Sequence, residues 1–196
     1  MIYTSNYKSI ESSIFNPISI SWDKGSSAGF NGDYIKCLAP KLSFFRVYKQ
    51  NKGIIDEDKN NRYYIYEYYK QVLSLLDPSE IYEKLNNRVM LCYENNMDFC
   101  HRHLVSAWLE LFLNIEVFEV IEENKSLKIV DKPLWIKNVL DDTIKSNMNM
   151  YGFKSIRAAY LYNLSIKCNS SLSEILLFAA AEAEDNYVSK VKIHKI

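Results

Sequence analysis

The chain has no surplus of charge: 24 Lys and Arg residues face 24 Asp and Glu in 196 residues. That balance argues against a nucleic-acid coat or a membrane-surface binder, both of which need a field of one sign. No basic and then apolar leader precedes residue 30, and no apolar run is long enough to span a bilayer. A cytoplasmic protein with no membrane contact is therefore expected. Cysteine is scarce, at four residues (Cys37, Cys92, Cys100 and Cys168), so free thiols are expected rather than a disulfide framework. Of five glycines, Gly25, Gly29 and Gly32 share one loop. Their spacing fits neither a dinucleotide fingerprint nor a P-loop, so phosphate cradling there is not expected. Repeats and low-complexity tracts are also absent. What remains is ordinary globular composition, 48% hydrophobic, in a chain long enough to bury a core without staples.

The pattern along the chain points to an α/β fold: a small, mostly parallel sheet flanked by helices over residues 1–130, then an all-helical extension over residues 131–196. Ile2 to Thr4 and Ile18 to Trp22 read as strands, the second from its alternation of apolar and small polar residues. Asp33 to Leu38 reads as a short helix stopped by Pro40. Asn61 to Leu76 has a helical apolar stripe, and Asp77-Pro78 ends it and starts the next helix, Ser79 to Leu85. Arg88 to Tyr93 is a nearly continuous apolar run of strand length, as suits an internal parallel strand. Asp98 is the expected N-cap of a helix reaching Leu113. Val117 to Ile121 is a further strand, and Glu122 to Lys125 a turn. Beyond Pro133 three helices are expected: Leu134 to Ser146, Ser155 to Lys167, and Ser171 to Val188, the last opening on a Ser171-x-x-Glu174 capping box.

Chemistry concentrates between Cys92 and His103, which hold two of the four cysteines and two of the three histidines. Cys92 and Glu94 lie at the carboxyl end of a strand, and Cys100, His101 and Arg102 lie in the first turn of the next helix. In open α/β sheets that crevice is where ligands bind. The helix N-terminus favours anions and thiolates there. Cys100 is the expected nucleophile or acid, Glu94 a base, and Arg102 an anion clamp or the partner of Glu94. Cys92, His101 and His103 complete the expected site. A metal centre is not expected, because the Cys-x2–4-Cys knuckle is missing and His101 and His103 point to different sides of a helix. No cofactor is expected either. Tyr63, Tyr64, Tyr66, Tyr68 and Tyr69 point all around their helix, which fits packing better than base stacking, so nucleic acid is not an expected partner. The basic tail of Lys190, Lys192, His194 and Lys195 reads as a solvated terminus.

Leu91-Cys92-Tyr93-Glu94, a short polar loop, and then Phe99-Cys100-His101-Arg102-His103-Leu104-Val105 with Trp108-Leu109 resembles the signature of the DUF488 family. Ile18-Ser19-Ile20-Ser21, the loop ending in Gly32-Asp33-Tyr34, and Leu38-Ala39-Pro40 resemble one branch of it. The resemblance covers roughly residues 1–130. It implies an α/β fold and an enzymatic or ligand site at the Cys-His-Arg motif, in a family without a settled activity. Ser21, Asp33 and Tyr34, in the segments that carry the resemblance, join the expected ligand-binding residues. Many members carry Asp-Val-Arg near the first strands, where this chain has Ser19 to Asp23. Two functions follow. One is an enzyme that acts on, or a protein that binds, a small anionic or nucleotide-like ligand. The other is a protein-binding module or inhibitor, of phage or mobile-element type, in which residues 134–196 meet a protein partner or a second copy of the chain.

Overall fold

The computed structural model describes residues 1–11 and 13–193. His194 and Lys195 of the basic tail lie outside the described residues. Among the described residues six strands form one sheet: β1 (Ile2–Asn6), β2 (Pro17–Ser19), β3 (Asp33–Tyr34), β4 (Arg88–Cys92), β5 (Val117–Glu123) and β6 (Ser126–Val130). Their order is β3-β2-β4-β1-β5-β6. All pairs are parallel except β5 with β6, a hairpin turned at Asn124 and Lys125, both at positive φ. The continuous apolar run is the internal strand β4, buried from Val89 to Cys92 between β2 and β1.

Among the described residues seven α-helices accompany the sheet: α1 (Leu42–Asn51), α2 (Glu57–Gln71), α3 (Pro78–Leu85), α4 (His101–Leu113), α5 (Trp135–Asn147), α6 (Ile156–Ser165) and α7 (Ser170–Ile193). The local chemistry of several ends is visible. Asp77 accepts from the Ser79 and Glu80 N–H groups with Pro78 in the first turn of α3. Ser155 accepts from Ala158 N at the start of α6. Asn114 ends α4 at φ 54°, the left-handed cap conformation that asparagine tolerates.

The two faces of the sheet are covered differently. Ile2, Ile18, Met90 and Val117 face one core with buried residues of α1 to α6, from Phe44 and Tyr68 to Trp108, Leu140 and Tyr160. The first two helices of the extension therefore share the core of the sheet. On the other face Val89, Leu91 and Val120 pack under Ile10 with Tyr3, Tyr7, Phe15, Phe30, Phe118 and Leu127, side chains of strands and loops. No helix among the described residues is long and apolar enough to cross a membrane.

Local expectations differ from the structure at several points. Asp33 and Tyr34 are a short edge strand, not the start of a helix, and a single tight turn at Lys36–Leu38 follows. Helix α1 and strand β6 were not expected; β6 carries mostly exposed or half-exposed residues, so it lacks a buried apolar stripe. Ser171 does not cap α7. The Asn169 carboxamide oxygen accepts from Leu172 N instead, at 3.3 Å, two residues earlier.

Candidate functional site

The chain leaves β2 toward β3 on one side and leaves β4 toward β5 on the other. The sheet therefore opens between β2 and β4, at the point where the order reverses, and open parallel sheets hold ligands there. Met90 and Cys92 share the helix-facing side of β4, so the Cys92 thiol points toward α4 and α2. A tight loop returns the chain to Cys100, and α4 begins at His101.

Asp98 does not cap this helix; its carboxylate accepts from the Asn95 amide at 3.1 Å. Cys100 itself is the N-cap residue, in extended conformation (φ −149°, ψ 148°), and no side chain caps the helix. The Cys100 side chain thus stands at the position of a capping side chain without capping, while the His103 N–H of the first turn donates to the Cys100 carbonyl at 3.1 Å.

Four of the expected residues converge. Cys100 Sγ lies 2.9 Å from Glu94 Oε2 and 3.9 Å from His101 Nδ1. Cys92 Sγ lies 3.5 Å from the same carboxylate oxygen and 3.4 Å from His101 Nδ1. The ligand atoms of Cys92, Cys100 and His101 all fall within 4.8 Å of one another. Spacing in the sequence argued against such a cluster, but a strand end and a helix start bring together what no short motif does. His101 Nε2 is 3.1 Å from the Ile20 carbonyl, to which it donates, and the ring packs edge-on against Tyr68. That bond leaves Nδ1 as the lone-pair nitrogen, with Cys92 Sγ over the ring and Cys100 Sγ 3.9 Å from Nδ1.

The electrostatics separate the two thiols. Burial pushes Cys92 well above the usual thiol range, and its neighbours Cys100 and Glu94 push the same way. Burial also opposes ionisation of Cys100. There it is outweighed by the Cys92 thiol, the Arg102 charge and His101, which hold Cys100 well below that range. Glu94 is raised by burial and by Cys100. His101 is raised as well: Cys100, the Ile20 carbonyl and Glu94 overcome the effect of burial. Cys100, Glu94 and His101 titrate together, so the shifts belong to the cluster rather than to any one residue.

Arg102 and His103 are not part of it. Arg102 is fully buried and binds Glu119 of β5, with Nε 3.3 Å and Nη2 3.0 Å from Oε1, and Nη2 donates to the Asn95 carbonyl at 2.7 Å. Its partner is Glu119, not Glu94, and it cannot clamp a ligand from solvent; it acts on Cys100 only through its charge. His103 Nε2 lies 3.2 Å from Glu119 Oε2 on the same side. Asp33 and Tyr34 sit on the exposed edge strand, where Asp33 pairs with Arg88 and Lys24 lies over the Tyr34 ring. They are away from the thiols.

Ser21 does border the crevice, in a wall that sequence reasoning largely missed. The Tyr7 hydroxyl is 2.6 Å from both Ser19 Oγ and Ser21 Oγ, and burial pushes its pKa up to about 12. Asp23 takes hydrogen bonds from the Tyr93 and Ser21 hydroxyls and from the Gly25 and Ser27 N–H groups. The glycine loop therefore wraps the carboxylate of its own chain. Gly25 has φ 83°, and a Cβ there would meet the Tyr7 ring at 2.7 Å. The alternation Ser19-x-Ser21-x-Asp23 was the available signal; nothing in the sequence marked Tyr7.

Phe99 roofs the cluster, with Tyr48 and Tyr64 against it and Trp135 of α5 stacked on it at 5.8 Å and 23°. Glu94 is half-buried and is the member of the cluster that reaches solvent. Clefts on the described residues, among them one between α4 and α7 and one beside β5 and β6, are lined by other residues than Cys92, Glu94, Cys100 and His101.

The chain matches no family model, and no curated protein or solved structure is similar to it.

Proposed function

We propose that this protein is an enzyme acting on, or a protein binding, a small anionic or nucleotide-like ligand at the crevice between β2 and β4. The observation that carries the reading is the place of Cys100: N-cap of the uncapped helix α4, with Glu94 at 2.9 Å and His101 at 3.9 Å. In this reading the first-turn N–H groups of α4 hold the anion. Cys100 is the group that meets the ligand, and Glu94 and His101 carry the proton. Arg102 is a positioning residue that biases the charge from beneath. The Cys-Tyr-Glu … Cys-His-Arg pattern that resembles the DUF488 family supports the same place, and cytoplasmic free thiols suit it.

The test is protection of Cys100 from iodoacetamide, read by peptide mass spectrometry. Inorganic phosphate or a nucleotide should slow Cys100 labelling without slowing that of exposed Cys37. If no anion protects Cys100, although the thiol labels freely in denaturant, the reading fails.

One observation favours a second reading, a module that meets a protein partner through residues 134–196. Helix α7 exposes Leu172, Ile175 and Phe178 at helical spacing, the last 76% exposed. A phage or mobile-element origin fits an inhibitor of this kind. A Phe178→Asp change that leaves the hydrodynamic size and all partners unchanged contradicts it.

A further inference from the structure

We propose that Cys92, Cys100, His101 and Glu94 form a binding site for a thiolate-preferring divalent cation of the zinc class. The inference deepens the reading of the crevice as an anion site and rests on it, since a bound cation supplies the positive charge that Arg102, locked on Glu119, cannot offer to a ligand.

Donor chemistry comes first. Two sulfurs, one imidazole nitrogen and one carboxylate oxygen are a set that zinc accepts, and three of these ligand atoms lie within 4.8 Å of one another. A tetrahedral centre with Zn–S of about 2.3 Å and Zn–N or Zn–O of about 2.0–2.1 Å has donor–donor edges of roughly 3.4–3.8 Å. Four of the six edges are 3.4 Å (Cys92 to His101), 3.5 Å (Cys92 to Glu94), 3.9 Å (Cys100 to His101) and 2.9 Å (Cys100 to Glu94). Glu94 stands outside the compact group of Cys92, Cys100 and His101, so its carboxylate must swing toward the imidazole to close the centre. The short edge is a contact that a cation would open.

The histidine is prepared for the role. Metal-binding imidazoles commonly donate their other N–H to a carboxylate or a backbone carbonyl, which fixes tautomer and ring orientation. His101 does so through Nε2 to Ile20, and the Tyr68 ring packs against its face. Nδ1 is thereby the free donor. Cys92 Sγ is nearly as close to Nε2 (3.9 Å) as to Nδ1, so it lies over the flat side of the ring and must turn about χ1 to join the centre.

Charge and access agree. Two thiolates and a carboxylate exceed a divalent cation by one negative charge. The buried guanidinium of Arg102, whose Nη1 has no hydrogen-bond partner, stands within electrostatic reach of both sulfurs. Glu94 alone of the four is half-exposed, so its carboxylate is the ligand that can yield its place to an incoming anion. That is the open position of a working zinc site rather than the closed shell of a structural one.

The experiment uses the full chain, purified without chelator from zinc-supplemented cells, with metal analysis and with cobalt(II) as optical probe. The expected result is stoichiometric zinc, and for cobalt a thiolate charge-transfer band with the intense visible bands of tetrahedral coordination. Cys92→Ser and Cys100→Ser should abolish the band. Glu94→Gln should weaken cobalt affinity by at least ~10-fold, and Cys37→Ser with Cys168→Ser should change nothing. Zinc should also slow alkylation of Cys100 in the unaltered chain, a readout that depends on no variant folding. Absence of zinc together with no cobalt band overturns the proposal, as does a metal content that survives Cys100→Ser. If zinc is absent yet phosphate still protects Cys100, the metal falls and the anion site stands. If zinc binds and no anion protects, the metal stands and the ligand reading falls.

Discussion

His101 and Arg102 are consecutive residues of α4, both buried, and they serve two different clusters. Arg102 turns with His103 toward Glu119, where a guanidinium and a carboxylate, both with no exposed side-chain surface, neutralise each other. His101 turns the other way, toward two thiols and a half-exposed carboxyl. The first cluster neutralises its charge inside the protein; the second brings an imidazole nitrogen and a carboxyl each up to the same two sulfurs. One helical turn thus separates polar groups that hold the fold from polar groups that can do chemistry, although in the sequence they form a single Cys-His-Arg-His run.

The comparison breaks first at Glu119. Glu119→Ala leaves a buried, unpaired arginine, and the expected loss is about 3–5 kcal/mol of stability, measured by urea unfolding. A loss within experimental error would mean that Arg102 is free to serve a ligand after all. A smaller effect is expected from Trp135→Ala, which removes a ring that is 38% exposed and stacked on Phe99. Partial burial sets a cost of about 1–2 kcal/mol, and Cys100 should alkylate faster once its roof is thinned. An unchanged rate would place the way into the site elsewhere. Smallest should be Cys100→Ser, which keeps a group able to donate to Glu94. It should cost no more than ~1 kcal/mol in urea unfolding. A loss as large as that for Glu119→Ala would put Cys100 with the residues that hold the fold.

Much of the fold was legible because burial left periodic traces. Arg88 to Tyr93 suited an internal strand, and Asp77-Pro78 marked a helix end and the next helix start. Strand β6 was not legible, since an edge strand exposed on one face has no apolar stripe, and β3 has only two residues. At the site, the types were right and the directions were not. Cys92, Glu94, Cys100 and His101 come together in the structure because the end of a strand and the start of the next helix meet. Which way Arg102 points depends on Glu119, seventeen residues on and on a different strand. A glutamate between Phe118 and Val120, in the apolar first half of β5, was the one trace of that partner. The cap at Cys100 was hidden by Asp98, a better capping residue that is diverted to Asn95.

The claim that the crevice at Cys100 attracts anions is tested most directly by comparing two alkylating agents, in chelator, on the native chain. Iodoacetate carries a negative charge and iodoacetamide does not, and the two attack sulfur in the same way. At exposed Cys37 the ratio of their rates reports the reagents alone. At Cys100, beside the uncapped N-terminus of α4, the ratio of iodoacetate to iodoacetamide should be several-fold higher than at Cys37. A ratio at Cys100 equal to or below that at Cys37 would show a buried thiol with no attraction for anions, and would contradict the account.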